Sequence, residues 1–324
     1  MSQCINCMFS WNTTARPIVS LAPMAGVTDA SYRQFIKMLA PDTVVYTEFL
    51  STDAIHFGSE RTLKMLHFDV MKERPFIVQI FGNDPEHFLT AAKVIEALGA
   101  DGIDINMGCP AAKVVSSCHG SALIRNVDLA SELVFATKRA VSIPVSVKTR
   151  LGWNTADALI AFCKRITEAG ADALAIHGRT YTQRFGGPAD WEPIYEVKRR
   201  VSVPVIGNGD IFSVEDALTK LNNLDGVMVG RGTFGNPWLM KDIADAFMHR
   251  EYRDTRACLS FDEKTPFILM HCELAARMKG EHRGILEMRK HLASYVKGFD
   301  GAGVMRERLM QVEKLKEVEN ILCR

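Results

Sequence analysis

A cysteine stands in the string Asn106-Met107-Gly108-Cys109-Pro110, directly after the strand-like run Ile103-Asp104-Ile105. Gly108 lets the backbone turn tightly and Pro110 stiffens it, so the thiol is presented where a buried strand emerges. A core-filling cysteine would sit inside the apolar run instead. The competing explanation is an ordinary turn cysteine, and the choice rests on what else gathers around the thiol.

The elements that must position it follow one rhythm. From Ile18 to about Met240, short apolar runs alternate with longer amphipathic segments, the pattern of repeated βα units around a parallel sheet. The spacing predicts eight strands: Ile18-Ala22, Thr43-Phe49, Phe76-Phe81, Gly102-Asn106, Val145-Thr149, Ala173-His177, Val205-Gly207 and Gly226-Val229. Helical stretches such as Pro85-Leu98, Leu129-Ala140, Asp157-Ala169 and Val214-Leu221 lie between them. Eight such units fit a closed (β/α)8 barrel, a TIM barrel of the α/β class, better than an open sheet.

Active sites of that fold lie on the loops leaving the strand C-termini, and the unusual residues of this chain sit there. They are Pro23-Met24-Ala25-Gly26, Glu48, Gln79, Asn106 with Cys109, Lys148 with Arg150, His177 with Arg179, Asn208-Gly209-Asp210 and Gly230-Arg231-Gly232. The last continues as Thr233-Phe234-Gly235 and matches GxGxxG, but it follows the final strand, whereas the dinucleotide fingerprint belongs to a first βα turn. Gly209, Gly230 and Arg231 are expected instead to form the phosphate grip that barrels build after strands 7 and 8, with ordinary tight turns as the alternative. Lys148 directs a cation into a site also reached by Gln79 and His177, suited to negative charge on the N1–O2 edge of a reduced flavin. A Schiff-base lysine would leave Cys109, Gln79 and Arg231 without a shared role.

Composition sets the frame. The chain has 324 residues, 47% of them hydrophobic, enough for one large domain and a small one. Its 39 basic and 38 acidic residues nearly cancel, so contact with nucleic acid must come from local patches. Eight scattered cysteines read as reduced thiols of a cytoplasmic protein. Cys4 and Cys7 form a CxxC pair with no second pair to complete a ligand set, and no metal is expected. No run approaches the roughly 18 apolar residues of a membrane span, so neither membrane insertion nor secretion is expected.

From about Ala244 the alternation gives way to helical runs, around Thr265-Met278, Gly284-Val296 and Val304-Leu322. The expected organisation is a catalytic barrel over residues 1–243 and a smaller all-helical domain over 244–324. Residues 271–324 carry eleven Lys or Arg against eight Asp or Glu, a footprint that fits an RNA backbone as well as a solvated helix surface.

At this point the chain resembles the tRNA-dihydrouridine synthases. The resemblance is carried by Leu21-Ala22-Pro23-Met24-Ala25-Gly26-Val27-Thr28-Asp29, Thr47-Glu48-Phe49, Asp104-Ile105-Asn106-Met107-Gly108-Cys109-Pro110 and Val147-Lys148-Thr149-Arg150-Leu151-Gly152-Trp153. It continues through Ile176-His177-Gly178-Arg179-Thr180, Gly207-Asn208-Gly209-Asp210-Ile211 and Val229-Gly230-Arg231-Gly232. In the tail, His291-Leu292 and Tyr295-Val296-Lys297-Gly298-Phe299 are similar to the family's helical domain, and the nearest branch is the bacterial B-type.

The resemblance implies an FMN enzyme that uses NADPH to reduce the C5=C6 bond of particular uridines in tRNA. It assigns Pro23, Met24, Ala25, Gln79, Lys148, His177, Asn208, Gly209, Asp210, Gly230 and Arg231 to the flavin, and makes Cys109 the general acid. A thiol with an ordinary pKa of about 8.5 is mostly protonated at neutral pH, which suits that role. The uracil must leave its stack to reach the site, and the basic tail would hold the folded RNA. Asn106, Lys113 and Arg179 are candidates for reading the base or nearby phosphates, with Arg289, Lys290 and Lys297 for the RNA backbone. No stable protein partner is indicated.

Two positions depart from the family's pattern. Val115-Ser116-Ser117-Cys118-His119 is less basic than the B-type segment after the cysteine, and Phe185 stands where a tyrosine often precedes the string here read as Gly187-Pro188-Ala189-Asp190-Trp191. Two rivals are a flavin barrel acting on a small molecule, of the dihydropyrimidine or dihydroorotate type, and a non-catalytic RNA-binding barrel. The basic tail opposes the first, and Cys109 with Lys148 the second.

Overall fold

The computed structural model describes residues 9–323, so the Cys4/Cys7 pair lies outside the described residues. Nine parallel strands form one sheet: β1 (Ile18–Leu21), β2 (Val45–Tyr46), β3 (Leu50–Ser51), β4 (Phe76–Phe81), β5 (Gly102–Met107), β6 (Val145–Arg150), β7 (Ala173–His177), β8 (Val205–Asn208) and β9 (Gly226–Val229). Their order, β1-β9-β8-β7-β6-β5-β4-β2, is that of a (β/α)8 barrel, as the alternation predicts. A parallel bridge between Ser20 and Val44 closes the ring from β1 to β2, with Val44 N donating to Val19 O at 3.0 Å and Leu21 N to Val44 O at 2.9 Å.

The second expected strand, Thr43-Phe49, is broken in two. Tyr46 pairs with Ile77 but Leu50 with Ile80, so three residues of one strand face two of β4. The extra residue is accommodated because the Thr47 hydroxyl accepts the Gln79 amide proton at 2.9 Å in place of a ladder carbonyl. That bulge turns Glu48 toward Gly26, whose amide it accepts. The next segment, for which the spacing predicts nothing, forms three short helices, Thr52–His56, Glu60–Met65 and Val70–Glu73. A buried Arg33–Glu73 pair at 2.7 Å ties it to the barrel.

Residues alternating along the strands fill the barrel in layers. Ile18, Tyr46, Ile77, Ala175, Ile206 and Met228 make an apolar interior cluster, joined by Trp11. Gln79, Asp104 and Ser146, all at most 2% exposed, add a polar layer. The outward faces pack against the helices in the main core. Helix starts follow their capping signals: Asp84 accepts the amides of Glu86 and His87 at the head of Pro85–Ala97, and Ser213 with Asp216 forms a capping box on Val214–Leu221.

After the Leu239–Phe247 helix the alternation stops, so position 243/244 lies within a helix. The tail contains the helices Phe261–Lys279, Glu281–Tyr295, Ala302–Leu309 and Leu315–Leu322. The first two turn back on each other at Gly280, where φ is +82°, and approach closely at Gly284, where a Cβ would meet Ala275 O at 2.5 Å. The run Val304-Leu322 is two helices rather than one, because the Glu317 carboxylate accepts the amides of Glu313 and Lys314 and starts a new helix at Leu315.

The tail is seated on the Ala30–Leu39 helix. Lys279 pairs with Asp29, the N-cap of that helix, and His271 stacks on Phe35 at 4.7 Å, with His291 on Tyr32 at 5.0 Å. Burial drives both imidazoles neutral, His291 down to about 4 and His271 well below its ordinary value. Among the described residues no helix is long and apolar enough to cross a membrane.

Candidate active site

The strand C-termini open into a cavity of about 780 Å³, within the range of small-ligand sites. Pro23, Met24, Ala25, Asn106, Cys109, Lys148, His177, Asn208, Gly209, Asp210, Gly230 and Arg231 all line it. The thiol and the glycine turns after β8 and β9 therefore share one chamber, although they are 100 or more residues apart in sequence.

One wall is built for an anion. The amides of Gly209, Asp210, Ile211 and Gly230 donate to no acceptor among the described residues. Gly209 has φ +126°, and a Cβ there would meet Ala189 Cβ at 2.8 Å and His177 Cδ2 at 3.0 Å, so only glycine fits. Arg231 stands beside these amides, paired with Asp210 at 3.1 Å, its guanidinium 5.2 Å from the Phe185 ring centroid. The charged residues lining the cavity are Lys148, Arg150, Arg184 and Arg231 against the single carboxylate of Asp210. Unspent amides and excess positive charge fit the phosphate of a mononucleotide cofactor.

Lys148 rises from β6 and donates to Asn208 Oδ1 at 3.2 Å. Burial, reinforced by Arg150, lowers its ammonium to about 8, with Asp104 and Cys109 acting in the opposite direction. It remains mostly charged at neutral pH. His177 is pushed down to about 2 by burial and by the cations Lys148, Arg150, Arg179 and Arg231, so it is a neutral imidazole. Arg179 lies 3.3 Å from its Nε2, which must accept because a guanidinium only donates, leaving the proton on Nδ1.

The Cys109 loop is pinned at several points. Asn106 Oδ1 accepts the amides of Gly108 at 3.1 Å and Cys109 at 2.9 Å. Arg150 Nε donates to Gly108 O at 2.8 Å, and Ser121 N to Cys109 O at 3.1 Å. The thiol is partly buried, and desolvation raises its pKa over the opposing effects of the Ala111 amide, Arg150 and Lys148. It is thus held protonated, with a proton to give and little thiolate to offer.

Several expected residues are elsewhere. Gln79 is fully buried below the cavity, between Asp104 and Asn106. Arg179 is 3% exposed and donates to the Gly187 carbonyl and, at 2.5 Å, to Asp210, so it braces the wall rather than facing a base. Burial would raise the Asp210 carboxyl, but the Arg179 bond leads the effects that hold it below the usual range. Arg289 joins tail segments through the carbonyls of Val312 and Gln311, and Lys290 donates to Gly26 O, fastening the tail to the barrel rim. Lys113 and Lys297 are exposed.

Other residues enter the cavity without a role foreseen for them. Arg150 follows Lys148 by two along β6, so strand alternation alone puts it on the same face. Phe185 and Phe212, more than half exposed, flank Arg231 at the rim, and no periodicity marks them because both lie in loops.

A parallel barrel with a cation-rich mouth, unspent backbone amides and a protonated thiol defines the class: a (β/α)8 enzyme whose strand ends are suited to an anionic ligand. A family model described as dihydrouridine synthase (Dus) matches residues 20–324. The probable tRNA-dihydrouridine synthase 1 of Synechocystis sp. is 39% identical over 304 residues, covering 93% of this chain and 84% of its own. The tRNA-dihydrouridine synthase B of Pseudomonas aeruginosa is 37% identical over 303 residues, covering 92% and 89%. The probable tRNA-dihydrouridine synthase of Rickettsia bellii is 37% identical over 292 residues, covering 89% and 88%. The chain belongs to the dihydrouridine synthase family.

Proposed function

We propose that the protein is a cytoplasmic tRNA-dihydrouridine synthase, holding FMN, taking its reducing equivalents from NADPH and reducing the C5=C6 bond of specific uridines in tRNA. The observation that carries this reading is the sharing of one cavity by an anion grip and a protonated thiol. Gly209, Gly230 and Arg231 would take the phosphate, with Pro23, Met24, Ala25, Lys148, His177, Asn208 and Asp210 around the remainder of the cofactor. Gln79 would act on the same site from below, through Asn106.

When bound, the reduced flavin would supply hydride for C6 of the uracil. Cys109 then gives the proton to C5, and the resulting thiolate is re-protonated from solvent. Lys148 contributes positive charge beside the electron-rich ring system, and neutral His177 offers its Nδ1–H as a donor without adding charge. The uridine has to leave its stack to enter the cavity, and the helical tail, proposed as a separate RNA-holding unit, would grip the surrounding fold. Lys113 and Lys297 are the candidates for phosphate contact whose ammonium groups the barrel does not consume.

The test is spectroscopic. The purified protein should carry flavin absorption that bleaches under anaerobic NADPH and returns on addition of tRNA lacking dihydrouridine. Bands that bleach and return with free uracil or orotate but not with tRNA would identify a small-molecule reductase instead. A protein that neither carries nor takes up FMN would overturn the reading.

A further inference from the structure

Beneath the cavity lies a group that the proposed chemistry does not use. Asp104 is fully buried inside the barrel on β5. Its Oδ1 accepts the Ser146 hydroxyl at 2.6 Å and its Oδ2 accepts Gln79 Nε2 at 2.7 Å. The oxygens face only these two donors, so Oδ2 is an acceptor toward Gln79, while burial pushes the pKa up to about 6 against the opposing effects of Gln79, Ser146 and Lys148.

From there the hydrogen bonds run one way. Gln79 donates to Asp104, so its Oε1 is turned outward, where it accepts Asn106 Nδ2 at 2.9 Å. Asn106 donates downward, so its Oδ1 faces the amides of Gly108 and Cys109. Each amide side chain has a donor end and an acceptor end, and either could flip in isolation. Here neither can. An obligate acceptor closes the chain at the bottom, two obligate backbone donors close it at the top, and reversing any link sets donor against donor in a dry interior.

We infer that Asp104 is a positioning residue for Cys109, fixing through Gln79 and Asn106 the acceptor that holds the cysteine loop. The inference deepens the proposed function, since its catalytic consequence rests on Cys109 as the proton donor; the loop geometry itself does not. It also gives Gln79 a task that its burial outside the cavity otherwise leaves unexplained.

Asp104→Leu leaves Gln79 Nε2 without its acceptor and the Gln79 amide free to turn, and Gln79→Leu leaves Asn106 Nδ2 without its own. Because Asp104 reaches the loop only through Gln79, adding Asp104→Leu to Gln79→Leu should loosen the Cys109 loop no further.

Two readouts separate the loop from the reaction: alkylation of Cys109 by iodoacetamide in cofactor-free protein, followed by mass spectrometry, and single-turnover kinetics of the holoenzyme. Each single variant should accelerate Cys109 alkylation about fivefold or more and slow flavin reoxidation by tRNA about tenfold or more, with NADPH reduction of the Asp104→Leu enzyme within about twofold of the parent. The double variant should match Gln79→Leu in both quantities to within about twofold.

A double variant impaired well beyond Gln79→Leu, by about the product of the two single effects, overturns the inference. So does unchanged alkylation in both singles, or NADPH reduction that falls as far as the tRNA step. Alkylation that follows the cycle in a protein whose reduced flavin never reacts with tRNA supports the positioning role and overturns the proposed function.

Discussion

Replacing Arg231 with alanine tests the anion grip in a way that separates phosphate from ring. The guanidinium would meet a dianion together with four unspent amides, so the substitution removes one charge-assisted partner among several. Such a bond contributes about 1.5–3 kcal/mol where it is well desolvated. The Arg231 side chain is 43% exposed and already shares its charge with Asp210, so solvent screening brings the expectation down to about 1–2 kcal/mol. At 25 °C that is about a 5- to 30-fold weaker Kd. Fluorescence titration of cofactor-free protein with FMN and, in parallel, with riboflavin isolates the effect, because riboflavin has the ring and lacks the phosphate. Arg231→Ala should weaken FMN by that factor and riboflavin by no more than about twofold. Equal losses for both ligands would mean that Arg231 acts on the ring or on the fold of the loop, and the assignment of the glycine turns to phosphate would fall with it.

Cys109→Ala should retain NADPH-driven bleaching of the flavin while tRNA turnover drops by about 100-fold or more, and an unchanged tRNA step would remove the thiol from the mechanism. In the parent enzyme the raised thiol keeps its proton below its folded pKa, so the tRNA step should persist to higher pH than an ordinary thiol allows, then fall as pH climbs further. Lys148 has its pKa depressed to about 8, so its charge is present below that value and lost above it; FMN affinity of the cofactor-free protein should weaken as pH rises through about 8, and Lys148→Met should abolish that dependence. His291 is depressed to about 4 against about 6.5 when unfolded, so the unfolded chain takes up the extra proton and stability is lost as pH falls from about 6.5 toward 4. Between pH 7 and pH 5 this amounts to about 2 kcal/mol, and denaturant melts should show a shallower pH slope in His291→Leu than in the parent; identical slopes would refute the linkage.

The alternation of apolar runs sufficed for the barrel because each βα unit repeats the same burial problem, and a pattern repeated eight times is hard to mistake. It failed at Thr43-Phe49, where composition stays strand-like but a threonine hydroxyl substitutes for a ladder carbonyl and inserts a bulge. Hydrogen bonding of that kind depends on a partner strand 32 residues away. The tail shows the same limit: Val304-Leu322 is helical throughout by propensity, and the break at Met310 to Lys314 comes from one glutamate reaching back to two amides.

The cavity separates what position along a strand dictates from what partners dictate. Lys148, His177, Asn208 and the glycine turns lie at strand ends, where the fold leaves little choice of direction, and all of them enter the cavity. Arg179 also lies at a strand end, yet its guanidinium turns back to Asp210 and the Gly187 carbonyl, because a long cation beside a nearby carboxylate settles on the bond rather than on the open space. Lys290 repeats that outcome at the seam with the tail, on the Gly26 carbonyl, and Arg289 within the tail, on the carbonyls of Val312 and Gln311. Charge counted along the sequence therefore overstates what is free for RNA, since some of the cations it tallies already hold the two parts of the molecule together. The opposite holds for Gln79 and Asp104. Their side chains point inward by strand alternation, and only the direction of the hydrogen bonds between them links the barrel floor to the thiol at its mouth.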